Sequence, residues 1–154
     1  MIAAFQLLKA KGDFNCRLII IGRIDARTQD DELIRMVNSN HADIQFVTDA
    51  DNKQVYKLLA GAKALVSPSH YEGFGIPPLE AMYLGTPAII SDIPTYREIY
   101  HDTPVIFFKT GDVQDLAKKL QQISSDRCDV EKVVNERYNF KSTAQQVLQC
   151  VQEE

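Results

Sequence analysis

The sequence predicts one α/β domain, built on a Rossmann-like parallel sheet with helices on both of its faces. Short apolar segments of strand length alternate with amphipathic helical segments along nearly the whole chain of 154 residues, which is the pattern of βαβ units. The strand-like segments are continuously apolar rather than alternating, as expected for strands that are covered on both faces. No internal repeat or linker interrupts the pattern, so we interpret residues 1–154 as a single domain.

The first half of the chain is predicted to contain three helices and two strands. An apolar stripe at helical spacing predicts a helix over 2–11, and the apolar run 17–21 follows it as a strand. A second helix is expected over 30–39 and a second strand over 44–47. The third helix spans 52–60, and Gly61 ends it.

The second half continues the alternation around one unusual loop. The third strand is predicted at 64–66, and a loop rich in Gly and Pro follows it. The remaining strands are expected at 87–91 and 105–108. Helices are predicted at 79–84, at 95–100, at 113–123 with Asp112 as N-cap, at 126–138 and at 142–151.

Composition and charge exclude several classes of protein. The 17 basic and 21 acidic residues give a formal net charge of -4, which argues against nucleic acid as a partner because such binding needs clustered Lys and Arg. The three cysteines, Cys16, Cys128 and Cys150, fit neither a disulfide framework nor a metal site. Free thiols are typical of a reducing cytosol. No apolar run approaches the roughly 20 residues of a membrane span, and no secretory signal is present. These features predict a cytoplasmic protein, soluble or peripheral at the cytosolic membrane face.

Residues 67–78 are the part of the sequence that is most informative about function. They follow the third strand and lead into a helix, and ligands of open parallel sheets bind outside such strand ends. Gly73 and Gly75 let the backbone approach a ligand closely, and a proline at 77 or 78 fits the first turn of a helix. The unpaired amides of that turn predict an anion site suited to a diphosphate.

Two carboxylates flank this predicted anion site. Glu80, expected about three residues into the helix, can accept hydrogen bonds from vicinal hydroxyls such as those of a ribose. Glu72, in the loop, could reach the hydroxyls of a sugar. Each also has a simpler interpretation, in which Glu80 stabilises the end of its own helix and Glu72 is a solvated charge. The two glycines alone indicate only a turn.

Taken together, residues 72–87 are far more specific than their parts. They read EGFGIPPLEAMYLGTP and resemble without a break the donor-binding signature of the family 4 retaining glycosyltransferases, E-G-F-G-[IL]-P-x-L-E-A-M-x-x-G-x-P. The similarity extends upstream over 55–69 and downstream over 88–92, and with weaker matches it covers about residues 2–120. It implies a GT-B fold, in which two Rossmann-like domains enclose a nucleotide-sugar donor that the C-terminal domain mainly binds.

The resemblance also implies roles for particular residues. Glu72 would contact hydroxyls of the transferred sugar as the catalytic residue, and Glu80 would hold the ribose. The loop that meets the sugar and the diphosphate comprises Gly73, Phe74, Gly75 and Ile76. The residues near the base would be Val47, Thr48 and Asp49.

The chemistry that the resemblance implies needs no metal and no cofactor. The nucleotide-diphosphate sugar is the substrate, and the sugar is transferred with retention of its anomeric configuration through same-face attack assisted by the leaving phosphate. An enzyme of this kind acts mainly by positioning the donor and by stabilising the charge that develops on the diphosphate.

The chain departs from the family pattern at its N-terminus. The family's C-terminal domain opens with a strand and a basic loop that grips the diphosphate, whereas residues 1–5 align after that loop. Arg23 follows the next strand and is a weak candidate for phosphate binding. The chain is therefore interpreted as a partial domain, and the acceptor would bind to an N-terminal domain outside it.

The missing strand would be the central one of a sheet in the order 3-2-1-4-5-6. Strands 17–21 and 64–66 would then face each other across a gap with unpaired backbone groups. We expect either direct closure of this gap or pairing with another chain, so self-association is a predicted property.

The sequence thus predicts the donor-binding half of a retaining glycosyltransferase. The full-length enzyme would transfer a hexosyl group from a nucleotide-diphosphate sugar to a glycan or lipid in polysaccharide or glycolipid biosynthesis, and the isolated chain would be inactive. The alternative is a non-catalytic module for nucleotide binding, sugar binding or protein association. An epimerase with the GT-B fold is a second alternative, but its motifs match less well.

Overall fold

The computed structural model describes residues 1–12, 14–22 and 43–123, and the structural statements below concern these residues. The strands are β1 (Leu18–Ile21), β2 (Ile44–Val47), β3 (Leu65–Ser67), β4 (Ala88–Ser91) and β5 (Ile106–Phe108). The helices are α1 (Ile2–Ala10), α2 (Asn52–Ala60), α3 (Ile76–Tyr83), α4 (Pro94–Tyr100) and α5 (Val113–Gln121). None of these described helices has the length and apolar character needed to cross a membrane.

All strand pairs are parallel, as the alternation of strands and helices predicts. β1 pairs with β2, with Leu18 opposite Ile44, while β4 lies between β3 and β5, with Ile89 opposite Val66 and Ile106. Backbone hydrogen bonds therefore join the described strands into two separate sheets, β1-β2 and β3-β4-β5.

Strands β1 and β3, which the sequence predicts to face each other across a gap, lie in different sheets. No hydrogen bond joins these two strands in the described part of the chain, so the structure does not show direct closure. The other expected outcome, pairing with another chain, stays a prediction.

Strand β4 divides the interior into two cores because its successive side chains point to opposite faces. All four of its residues are buried. Ala88 and Ile90 pack on one face with residues of α2, α3 and α4, and Ile89 packs on the other with residues of α1 and α5. The prediction of helices on both faces is thereby confirmed.

Helix α3 begins three residues earlier than the apolar pattern predicts. It starts at Ile76 and includes Pro77 and Pro78 in its first turn, where a proline lacks only an N–H that has no intrahelical acceptor. The other ends of described elements agree with the prediction to within two residues, which is the ordinary uncertainty of such boundaries.

Helices α2 and α5 are both capped by aspartate side chains. Asp112, the predicted N-cap of α5, accepts from the amides of Gln114 and Asp115. Asp51 and Gln54 form a reciprocal capping box at the start of α2. The predicted helices at 30–39, 126–138 and 142–151, together with Arg23, lie outside the described residues.

Candidate functional site at the end of strand β3

The loop between β3 and α3 carries Glu72 at the carboxyl end of a parallel strand. The Ser69 hydroxyl donates a hydrogen bond of 2.7 Å to Oε1 of Glu72, and the Glu72 side chain is half-buried. No described residue donates to the second oxygen, Oε2. The carboxylate is therefore oriented from one side and keeps one oxygen for a further partner.

Helix α4 supports this loop from the interior through three hydroxyl groups. Thr95 Oγ1 donates to the carbonyl oxygen of Glu72 at 3.0 Å. The Tyr100 hydroxyl donates to the carbonyl oxygen of Gly75 at 2.6 Å, and this bond is buried. The Tyr96 hydroxyl shares a hydrogen bond of 2.7 Å with Ser67 at the end of β3. One helix thus fixes the loop at two carbonyl groups and also holds the end of the strand that precedes it.

The two glycines of the loop meet different constraints. Gly75 has a φ of +80°, and a Cβ added there would lie 2.3 Å from Cε1 of Tyr96, a distance that no two carbon atoms without a bond tolerate. A Cβ on Gly73 would meet no atom within 4 Å. Both the positive φ and the nearby Tyr96 ring require glycine at position 75, whereas position 73 has space for a larger side chain.

The N-terminus of α3 presents backbone amides without a competing carboxylate. Gly75 is the N-cap, no side chain caps the helix, and the first turn holds no acidic residue. Phe74 and Ile76 are 40% and 59% exposed. Pro77 and Pro78 have no N–H, so the first turn offers the Ile76 amide alone. Together with the amides of the preceding loop and the positive end of the helix dipole, it makes this end suited to an anion.

Glu80 lies further along the helix than the sequence predicts. With α3 starting at Ile76, Glu80 is the fifth helical residue, and Pro78 occupies the third position. The interpretation of Glu80 as a carboxylate that stabilises its own helix terminus is therefore wrong, because that effect is confined to the first turn.

The structure instead pairs Glu80 with a tyrosine of α2. The Tyr56 hydroxyl donates to Oε1 of Glu80 at 3.1 Å. This hydrogen bond and the negative charge of Glu80 raise the pKa of Tyr56 above its ordinary value of 10.0. The carboxylate is held between two helices, and no described residue donates to its second oxygen.

Replacing Glu80 with glutamine should return the pKa of Tyr56 toward its ordinary value. The reason is that glutamine removes the negative charge that disfavours the tyrosinate. The measurement is a pH titration of the tyrosine resonances by NMR. Glu98→Gln, on α4, is the matched control and should leave the Tyr56 titration unchanged. An unchanged Tyr56 pKa in Glu80→Gln would contradict the contact.

The residues predicted near a base lie at the end of β2 and directly after it, in the other sheet. Val47 ends β2, and the Thr48 hydroxyl donates to Oδ2 of Asp49 at 3.2 Å. Helix α2 begins soon after them and carries Tyr56, which contacts Glu80. The structure thus connects this segment to Glu80 through one helix, while its contact with a base stays a prediction.

The sequence interpretation missed five residues that support the site: Tyr56, Ser69, Thr95, Tyr96 and Tyr100. Two of them left a signal in the sequence. Ser69 lies three residues before Glu72, a spacing typical of local side-chain bonds, and a buried Tyr such as Tyr100 requires a hydrogen-bond partner. The identity of that partner, 25 residues away, could not be deduced.

Comparison with known proteins gives the family. Residues 1–147 match the family described as Glycosyl transferases group 1. The O-antigen chain mannosyltransferase RfbU of Salmonella typhimurium is 46% identical over 56 residues, which are 36% of this chain and 16% of that protein. The O-antigen chain mannosyltransferase B of Escherichia coli is 31% identical over 108 residues, which are 69% of this chain and 28% of that protein.

An archaeal relative matches over more of the chain. The uncharacterized glycosyltransferase MJ1607 of Methanocaldococcus jannaschii is 29% identical over 142 residues, which are 87% of this chain and 36% of that protein. The chain thus spans about a third or less of the length of these curated relatives.

Solved structures share the fold. The sucrose-phosphate synthase of Thermosynechococcus elongatus superposes with a TM-score of 0.75 at 22% identity, over 99% of this chain and 41% of that one. Anabaena HepE, solved in complex with UDP and glucose, superposes with a TM-score of 0.72 at 18% identity, over 99% of this chain and 44% of that one. The Rossmann-like fold of the GT-B glycosyltransferases is therefore confirmed, and the family match shows that the chain belongs to the group 1 glycosyl transferases.

Proposed function

We propose that this chain forms the donor-binding half of a retaining glycosyltransferase, which transfers a hexosyl group from a nucleotide-diphosphate sugar to a glycan or lipid acceptor. The observation that carries the proposal is the arrangement around α3. A glycine loop with one oriented carboxylate, Glu72, precedes the helix N-terminus, and a second oriented carboxylate, Glu80, follows it. A donor of this kind has three polar parts in the same order, namely sugar hydroxyls, diphosphate and ribose hydroxyls.

Glu72 is suited to the sugar. Its Oε1 is occupied by Ser69, so the remaining oxygen can accept from a hydroxyl of the transferred hexose. A carboxylate accepts such bonds about twice as strongly as a neutral oxygen does. Holding the hexose in one orientation is the main contribution that a protein makes to a transfer of this type.

The backbone amides of residues 73–76, at the start of α3, are suited to bind the diphosphate. A negative charge is stabilised there by N–H groups and by the helix dipole, and the charge on the diphosphate increases as the bond to the sugar breaks. The same donors therefore stabilise the leaving group more as the reaction proceeds, which lowers the barrier to transfer. Neither this role nor the transfer itself requires a metal or a cofactor in the proposed mechanism.

The names of the relatives support a glycan acceptor and a nucleotide-sugar donor for this chain. Two of them are named O-antigen chain mannosyltransferases, and HepE has also been solved in complex with UDP-glucose. We propose by similarity that the acceptor is a growing polysaccharide or glycolipid, and that it binds to a part of the enzyme outside this chain. A cytoplasmic site of action, in solution or at the cytosolic membrane face, is part of the same proposal.

Calorimetry of the purified chain tests the proposal with UDP, GDP and ADP and with hexose derivatives of each. We expect one base to bind, and the 2′-deoxy form of that nucleotide to bind more weakly because it lacks one of the vicinal ribose hydroxyls. Glu80→Gln should lower the affinity for the ribose form by about tenfold, as for a lost hydrogen bond to a charged group. The 2′-deoxy form should lose less.

Two results would contradict the proposal. One is that none of the three nucleotides or their sugars binds. The other is nucleotide binding with the same affinity in wild type and Glu80→Gln, which would favour a module that binds nucleotide elsewhere.

A further inference from the structure

We propose that helix α4 acts as the positioning element of the donor site, and that Tyr100 and Thr95 are its positioning residues. Their hydroxyls fix two peptide planes of the loop, so that the N–H groups of Ile76 and Gly73 point outward to the donor. The inference rests on the proposed function, and it adds residues that no signature motif contains.

The first peptide plane is that between Gly75 and Ile76. Its carbonyl oxygen accepts the 2.6 Å hydrogen bond from Tyr100, whose side chain is fully buried. No cis peptide bond occurs among the described residues, and in a planar trans peptide the N–H points opposite to the C=O. Since the carbonyl points into the core, the Ile76 N–H points away from it, at the exposed N-terminus of α3.

The second peptide plane is that between Glu72 and Gly73. Thr95 Oγ1 donates to the carbonyl oxygen of Glu72 at 3.0 Å, and the same geometry turns the Gly73 N–H to the opposite side. Gly73 is exposed, and no atom lies within 4 Å of where its Cβ would be. The Gly73 amide therefore points away from α4, in an exposed residue next to Glu72.

Tyr96 makes this support rigid. It is fully buried, its ring lies beneath Gly75, and its hydroxyl is joined to Ser67 at the end of β3. The rings of Tyr96 and Tyr100 pack edge to face, with centroids 5.8 Å apart. The loop is thereby attached to the β3-β4-β5 sheet through α4, so that little ordering remains to be done when a donor binds.

Removing the hydroxyl of Tyr100 or Thr95 should change the orientation of one peptide group while the fold is kept. In Tyr100→Phe the ring still fills its place, but the Gly75 carbonyl keeps only the Leu79 amide of its own helix, since the carbonyl of an N-cap residue accepts the first intrahelical hydrogen bond. The peptide plane is then fixed by one hydrogen bond instead of two, so the Ile76 N–H is directed at the donor less firmly. Thr95→Val removes the hydroxyl that donates to the Glu72 carbonyl, so the Gly73 N–H also loses its fixed direction. Thr95 is half-buried, so the fold is less at risk.

The experiment compares Tyr100→Phe and Thr95→Val with the control Thr86→Val. Thr86 also donates from a hydroxyl to a buried carbonyl, that of Leu59 at 2.9 Å, but it lies beyond the C-terminal end of α3. Calorimetry measures the affinity of each variant for UDP, GDP and ADP and for uridine, guanosine and adenosine. Titration of ¹⁵N-labelled chain records the amide shifts of Gly73 and Ile76.

We expect Tyr100→Phe and Thr95→Val each to weaken binding of the diphosphate by about tenfold, while the affinity for the nucleoside changes by less than about twofold. In each variant the diphosphate-induced shift of the corresponding amide should shrink. Thr86→Val should leave both affinities unchanged even if it lowers the melting temperature.

Three other outcomes overturn the inference in distinguishable ways. If both α4 variants bind the diphosphate as wild type does while Glu80→Gln loses affinity, the donor site stands and the positioning role is wrong. If Thr86→Val weakens diphosphate binding equally, the effect reflects general stability and not peptide orientation. If the wild-type chain binds no nucleotide, the proposed function fails and the inference fails with it.

Discussion

Replacing Glu72 with glutamine should lower sugar transfer by the full-length enzyme by roughly a hundredfold, since a hydrogen bond to a charged group contributes up to about 3 kcal/mol. Glutamine has the same shape, and its amide oxygen can still accept from Ser69, so the loop keeps its path. The proposed acceptor for the sugar hydroxyl, the second carboxylate oxygen, becomes an NH2 group that can only donate. Initial rates with saturating donor and the melting temperature together separate this effect from unfolding.

Ser69→Ala is the graded comparison for Glu72→Gln. It keeps the carboxylate and removes only the group that orients it, so we expect a loss of about tenfold or less. Wild-type transfer by Glu72→Gln, or a larger loss in Ser69→Ala than in Glu72→Gln, would contradict the role of Glu72 as the sugar contact.

Gly75→Ala should be the most destabilising single change in the loop. An alanine at a φ of +80° is unfavourable by about 1–2 kcal/mol, and its methyl group would overlap with the Tyr96 ring, which adds about 1–3 kcal/mol for overpacking. The expected loss in the free energy of unfolding is therefore about 2–5 kcal/mol. Urea denaturation at equilibrium measures it.

Gly73→Ala is the matched control, two residues away in the same motif. Its backbone has no positive φ, and its added methyl group would meet no protein atom. We expect its free energy of unfolding to stay within about 0.5 kcal/mol of wild type, as for an ordinary surface change. Equal stabilities of the two variants would show that Tyr96 does not limit the space at Gly75.

Much of the fold can be predicted from the sequence because it depends on local pattern. Continuous apolar runs such as that of β4 indicate strands covered on both faces, and the two cores on either side of β4 confirm this. Direct closure between β1 and β3, one of the two outcomes that the sequence predicts, is not seen, because these strands lie in different sheets.

The supporting contacts of the site cannot be predicted in this way. Tyr56 and Glu80 are 24 residues apart, and Tyr100 and Gly75 are 25 apart, so only the packing of helices against the sheet brings them together. The sequence likewise does not distinguish Gly73 from Gly75, because the difference lies in the Tyr96 ring beneath one of them. The predicted start of α3 is too late because its first turn consists of Ile76 and two prolines, which no helical periodicity reveals.

The central claim is that the donor binds along the loop and the first turns of α3. The most direct measurement is a titration of the ¹⁵N-labelled chain with hexose derivatives of UDP, GDP and ADP, with all amide resonances followed by NMR. For one of these donors, we predict saturable shifts at Gly73, Phe74, Gly75, Ile76 and Glu80. Saturable binding that leaves these five amides unchanged, or no binding of any donor, would contradict the claim.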